Sequence, residues 1–340
     1  MVDQRTGNGR LESTGSETGS QPGVSGSKPD CSILIVAYNS GDHIAACLDS
    51  IAPAAGSHSY EVLLVDNGDG ATKALVERDY PWVRTVPGRG NIGFAAGNNL
   101  LAQHAHSDQL LLLNPDMVLY PDAIHALLDG TQRYPSAASW GGVTCDADAV
   151  PDVGNWIMVP SLCEFSRFAF GKASKSHWQT DQLFADQRAD VLMGGFVMFS
   201  RRAWDTAGGL DERFFLYCEE VDLFYRLAKM GEHFWRIGNA RGYHAVGHGQ
   251  QMSEMRLLYR SAGTMEFTRR HWSWPKQQLG FALLWIGMLN RFIAGRLLGS
   301  VKPNLAALSE SYKRVALNPR EWKNGYHTER GLLARISTKK

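Results

Sequence analysis

The sequence has almost no net charge: 35 Lys and Arg against 34 Asp and Glu leave +1 over 340 residues. So even a balance lacks the cationic footprint of a nucleic-acid binder, and no nucleic-acid partner is expected. Cysteine is scarce too. Cys31, Cys47, Cys145, Cys163 and Cys218 are odd in number and form no C-x-x-C pair. That argues against a disulfide framework or a cysteine zinc site and predicts buried free thiols in a reducing compartment. Residues 1–30 have no apolar run of the kind a secretory signal needs. Their Gly, Ser, Thr and charge predict a disordered tail, and the cytoplasm is the expected location. No G-x-G-x-x-G follows a strand-like run, which disfavours a dinucleotide-dependent dehydrogenase.

What is present is a 44% hydrophobic, globular composition, long enough for one or two domains. Ile33 to Ala37, Glu61 to Val65 and Leu110 to Leu113 are short continuous apolar runs, the pattern of strands buried on both faces. Trp82 to Val86 reads as a further short strand, and Val191 to Phe199 as one interrupted by Gly194 and Gly195. Helical spacing lies between them: after Asp42, over Ala71 to Arg78, and from Gly93 to about Ala105. Arg201 to Ala207 and Glu219 to Met230 read as helices, residues 140–190 as loops with short elements, and the chain after Ser253 as mainly helical. Alternating strands and helices predict an α/β domain with a mostly parallel sheet. Such sheets bind ligands beyond the carboxyl ends of their strands. Tyr38-Asn39, Asp66-Asn67 and Asn114 to Asp116 each follow a strand directly, which suggests one shared site.

The residue types there suit a particular chemistry. Asp66 at a strand end can hydrogen-bond a base or ribose, and Asp116 can hold a divalent cation that bridges phosphates. Glu219, Glu220 and Asp222 place three carboxylates within four positions. Mutual repulsion raises the pKa of at least one, which suits a general base. Acids also favour a helix start for the dipole alone, and Asp222 and Arg226 stand four apart on one face, where they can pair.

The segment Gly208 to Leu223 resembles the GGxDExFFxYxEDxDL signature of glycosyltransferase family 2, in its bacterial rhamnosyltransferase-like subgroup. The resemblance extends to Val36 to Asn39, Val65 to Asn67, Asn91 to Asn99, Leu113 to Asp116 and Met193 to Gly195, and covers roughly residues 31–250. It implies a GT-A fold (Rossmann-like, a mostly parallel sheet flanked by helices). It also implies inverting transfer from a nucleotide-diphospho-sugar donor to a glycan or lipid-linked glycan acceptor, with Mg2+ or Mn2+ as cofactor. Asn114-Pro115-Asp116 stands at the family's DXD position, making Asp116 the metal ligand. His244, in an H-x-x-G context, is a second candidate ligand. Ala37, Tyr38, Asn39, Asp66 and Asn67 line the nucleotide by this analogy, with Gly93, Asn98 and Asn114 beside the donor. Gly195 and Gly194 leave room for donor or acceptor. The family's Glu-Asp pair is Glu219-Glu220 here, so the base is Glu220 or Glu219. The loop after Asn67 is shorter than usual, which weakens any carry-over to Asp69. Rhamnose on thymidine diphosphate is the favoured donor, with UDP- and GDP-sugars as alternatives.

Residues 251–340 read as a helical C-terminal extension to a 31–250 catalytic domain. Its Leu279 to Leu289 run is too short for a bilayer span of about 20 residues. It reads as a core or homodimer-interface helix, or as an interfacial segment at the inner face of the plasma membrane, with Trp285, Arg291 and Arg296 meeting headgroups. Two rival functions are a sugar nucleotidyltransferase and a non-catalytic carbohydrate-binding subunit. The absence of Arg or Lys from Ala37 to Gly41 argues against the first, and the intact acidic positions against the second.

Overall fold

The structure, a computed structural model, describes residues 28–146, 149–151, 158–172, 184–244, 253–300 and 303–337. Nearly all of the expected tail, and the Gly247 and His248 that follow His244, lie outside them.

Three of the apolar runs become the middle of a sheet. They are β1 (Cys31–Ala37), β2 (Tyr60–Asp66) and, after the two-residue β3 (Arg84–Thr85), β4 (Gln109–Leu113). β1 pairs in parallel with β2 and β4, and β2 with β3. Ile33, Leu34 and Ile35 are fully buried because helices cover both faces. Each such side chain contributes about 1.5–3 kcal/mol relative to exposure. The crossovers are α1 (Gly41–Ala55), α2 (Ala71–Asp79) and α3 (Phe94–His104). Their lengths follow the expected patterns to within a residue or two. Trp82 to Val86 contributes only β3, while Val83 and Val86 are buried beside it.

Beyond β4 the sheet changes character. β5 (Met117–Leu119), α4 (Ala123–Arg133), β6 (Ser139–Cys145), α5 (Leu162–Ala169), β7 (Gln187–Ala189) and β8 (Phe196–Ser200) follow. After α6 (Arg201–Ala207) and α7 (Glu219–Lys229) comes β9 (Phe234–His244). The order is β3-β2-β1-β4-β8-β6-β9-β5, with β7 beside β9. β8 is antiparallel to both β4 and β6, and β5 is antiparallel to β9. The parallel expectation therefore describes the first half of the sheet, and the second half is mixed. β6 occupies part of the stretch read as loops. It contains Gly141 and Gly142, and the Phe196 ring fills the space a Cβ on Gly142 would need. Residues 191–193 have no regular structure and Gly194-Gly195 form a turn, so β8 starts only at Phe196.

The extension is three long helices, α8 (Glu254–His271), α9 (Trp274–Leu298) and α10 (Pro303–Leu317), and the short α11 (Leu332–Ser337). Most of its apolar residues form a cluster around Trp322, but Phe267 of α8 enters the sheet-side core with Phe224 and Leu227. The apolar run of α9 belongs to one continuous 25-residue helix, long and apolar enough to cross a membrane by composition. One face packs tightly, since Cβ atoms at Gly280 and Gly287 would strike Trp272 and Phe168. Trp285 donates to Ala316 O, and Arg291 donates to Phe168 O while lying over that residue's ring. Both are occupied inside the protein, which corrects their assignment to headgroups. All five cysteines are free thiols, but Cys163 is exposed on α5 and Cys218 only half-buried, so burial holds for the other three.

Candidate active site

The strand ends converge through backbone contacts. Asn67 N donates to Ala37 O at 2.8 Å, joining the ends of β1 and β2. The side-chain amide of Asn67 donates to Gly93 O at 2.9 Å, which brings in the start of α3. Gly68 sits tightly here, since an added Cβ would lie 2.8 Å from Asn39 Oδ1 and displace that side chain. Asn39 itself has φ 50°, and Tyr38 beside it is exposed. The Asp66 carboxylate accepts from Gly68 N at 2.7 Å and Lys73 N at 3.0 Å, so it also braces the turn it was expected to line. Ala37 is fully buried, leaving only its backbone to act, and Asn98 is enclosed with its amide donating to Phe94 O.

On the other side of β4, Asn114 N donates to Gly195 O at 2.9 Å. The Asn114 side chain fills the place of a Gly195 Cβ, which explains why glycine stands there. Asp116 follows, and its Oδ2 lies 3.2 Å from His244 Nε2 at the end of β9. The two meet because Met117 pairs with His244 across β5 and β9. An oxygen and an imidazole nitrogen this close form a donor set that fits a divalent cation, and the nitrogen favours Mn2+ over Mg2+.

Glu220 on α7 packs beside the turn that holds Asn114, its side chain within 3.5–3.7 Å of where a Gly194 Cβ would lie. Glu219 and Glu220 are 4% and 7% exposed, and the Oε2 of each finds no hydrogen-bond partner among the described residues. Burial pushes both carboxyls up. The charge of Glu220 raises Glu219 further, well above the ordinary range, while Arg260 and backbone amides hold Glu220 back. Burial and the neighbouring acids push the Cys218 thiol to about 12, so it stays protonated.

Asp222 departs from the expected cluster. On a helix it points about 200° away from Glu220. It is fully buried, bonded to Arg226 Nε and His271 Nε2 at 2.7 Å each. Arg226 also donates to Gly209 O, and Leu210 N donates to Asn99 Oδ1 at 3.0 Å, tying α7 to α3. A polar cavity of about 470 Å³ lies on this side, lined by Asn99, Asp211, Asp222, Arg226, Arg270 and others, and touches neither Asp116 nor Glu220. The geometry gives Asp222 a bracing role.

Sequence patterns did not single out the contribution of α8. Arg260 acts on Glu220, and Arg256 one turn earlier places its charge near the Tyr217 hydroxyl. Tyr259 stacks on Phe215, whose carbonyl accepts from Phe94 N at 2.9 Å. The only local signal was two arginines four apart, indistinguishable from a solvated face.

Known proteins resemble this chain in sequence and in fold. Residues 32–205 match the family described as glycosyl transferase family 2. Over 275 residues the chain is 30% identical to the N-acetylglucosaminyl-diphospho-decaprenol L-rhamnosyltransferase of Mycobacterium tuberculosis, covering 74% of this chain and 88% of that one. It is 23% identical over 225 residues to rhamnosyltransferase WbbL of Escherichia coli, covering 63% and 81%. Its fold resembles a mannosyltransferase from Pyrobaculum calidifontis in complex with GDP-Man and Mn2+, with TM-score 0.53, 16% identity, and coverage of 87% and 89%. The chain therefore has a GT-A fold with helices added after it, and it belongs to glycosyl transferase family 2.

Proposed function

We propose that this glycosyltransferase moves rhamnose from a thymidine diphosphate donor, with inversion, to a hydroxyl of a lipid-linked glycan. The observation that carries the reading is Glu220, a buried, incompletely hydrogen-bonded carboxylate packed against the Gly194-Gly195 turn, which in turn holds Asn114 and the Asp116 loop. The rhamnosyltransferase names of the relatives support the choice of sugar and acceptor.

Asp116 and His244 would hold Mn2+ or Mg2+, which supplies charge neutralisation to the departing nucleotide diphosphate. Tyr38, Asn39 and Asn67, at the ends of β1 and β2, would line the nucleotide. Glu220 takes the proton of the acceptor hydroxyl as that oxygen bonds to the anomeric carbon and the diphosphate leaves with the bonding pair. Glu220 suits this role better than Glu219, because Arg260 favours its ionised form while the Glu220 charge disfavours ionisation of Glu219.

The outer face of α9 offers the acceptor's membrane a landing surface. Leu279, Ile286, Ile293 and Leu297 are exposed at spacings of seven, seven and four, with Trp274 exposed at the helix start. Lys276 and Arg296, also exposed, flank the stripe.

The test is a donor panel with a lipid-linked N-acetylglucosaminyl acceptor. Transfer from dTDP-rhamnose, at least about tenfold faster than from UDP- or GDP-sugars, is expected, with loss on chelation and rescue by Mn2+. Equal use of every donor would refute the sugar assignment, and full activity in excess chelator would refute the metal assignment. Sedimentation with anionic vesicles, weakened in Leu297→Glu, checks the surface; a dimer without vesicle binding points to a second copy instead.

A further inference from the structure

Two histidines face each other at the end of the sheet remote from the transfer site. His58 lies between α1 and β2, and His125 in the first turn of α4; His58 Nε2 and His125 Nδ1 are 3.0 Å apart. Asp129, one turn along α4, lies 3.5 Å from His125 Nε2. One donor atom from each of these three residues falls within 4.8 Å of the others. Behind the pair, His58 Nδ1 faces Asp30 Oδ2 at 3.4 Å. That carboxylate is itself fixed by the Ser59 amide and hydroxyl at 2.9 and 3.0 Å. His58 precedes β2 whereas Asp66 ends it, so the strand separates the two regions by about 20 Å.

We propose that His58, His125 and Asp129 form a second cation site, one that takes a transition metal of the zinc class. Bonds of about 2.0–2.1 Å from a tetrahedral metal place ligand atoms about 3.3 Å apart, so the two rings need to part by only a few tenths of an ångström, while the Asp129 side chain, now beside the other His125 nitrogen, rotates in from within 4.8 Å. His125 and Asp129 stand four apart on one helix, the spacing at which two side chains reach a common point. Asp30 orients the His58 ring through its second nitrogen, as carboxylates do behind metal-binding imidazoles. Two imidazoles in three ligands select zinc-like ions over Mg2+ or Ca2+. The side chains of His58, His125 and Asp129 are 28%, 43% and 56% exposed, which leaves a path in and a coordination position for water. A bound ion would clamp the α1–β2 turn to α4, the helix that follows Asp116 and β5.

The test is titration of the full-length, chelator-stripped protein with Co2+, read by d–d absorption, with Zn2+ in competition. Wild type and Asp116→Asn are both expected to give a tetrahedral cobalt spectrum at micromolar metal that Zn2+ abolishes and Mg2+ does not. His125→Ala and the exposed-site variant Asp129→Asn lose it or bind at least about a hundredfold more weakly, while Asp30→Asn weakens binding about tenfold. Thermal melts with Zn2+ show the same order, and melts without metal confirm that each variant folds. A spectrum unchanged in folded His125→Ala overturns the proposal, as does one lost in Asp116→Asn alone. A wild type that responds only at millimolar metal overturns it too, leaving a simple ring-to-ring hydrogen bond.

Discussion

Glu220 and Asp222 stand two residues apart on one helix turn, both nearly or wholly buried, yet their surroundings are opposite. Asp222 is bonded to an arginine and a histidine at 2.7 Å each, and its arginine is bonded in turn to backbone carbonyls. Glu220 has an oxygen without a hydrogen bond and lies against a glycine turn. An acid with both oxygens bonded holds structure together. A buried acid left incompletely solvated costs stability, and that cost is a mark of chemistry.

Substitutions can break or sharpen this contrast. Glu220→Gln should lower kcat by about 10²–10⁴-fold with little change in Tm, since it removes a proton acceptor and few contacts. Asp222→Ala should do the reverse, costing about 3–5 kcal/mol in urea unfolding by stranding Arg226 and His271. A kcat loss at unchanged stability in Asp222→Ala would erase the distinction. Glu219→Gln should be milder and stabilising, by about 1 kcal/mol at pH 8. Its folded carboxyl binds a proton more tightly than the unfolded one, so its contribution is fully present at acid pH and lost as pH rises through the folded pKa. The Tm advantage of the variant should therefore shrink on acidification. Smallest of all, Arg260→Met removes a charge that favours ionised Glu220, so the acid limb of the kcat profile should move to higher pH.

The contrast was only half visible in the sequence. Ile33 to Ala37 and Leu110 to Leu113 are continuous apolar runs, and a doubly covered strand needs just that, so the sheet centre and its polar ends were legible. β6 was not, because Gly141 and Gly142 break the pattern to admit Leu192 and Phe196, contacts made more than 45 residues away. In the site, spacing raised the pairing of Asp222 with Arg226 as one reading among others, but gave no hint of His271. Arg260 and Tyr259 are ordinary helix residues until α8 folds back over the loop before α7.

That loop also has a consequence in time. Tyr217 and Cys218 both hold positive φ, 67° and 71°, a conformation that costs energy in side-chain-bearing residues. The Tyr326 hydroxyl, 110 residues downstream, donates to Leu216 O just before them. At about 5–20 residues per second, a ribosome would make the acidic turn some 5–20 seconds before its fastener. Late in that interval, once β9 has completed the sheet, a nascent chain would still carry an unfastened loop before α7, set only when the late helices dock.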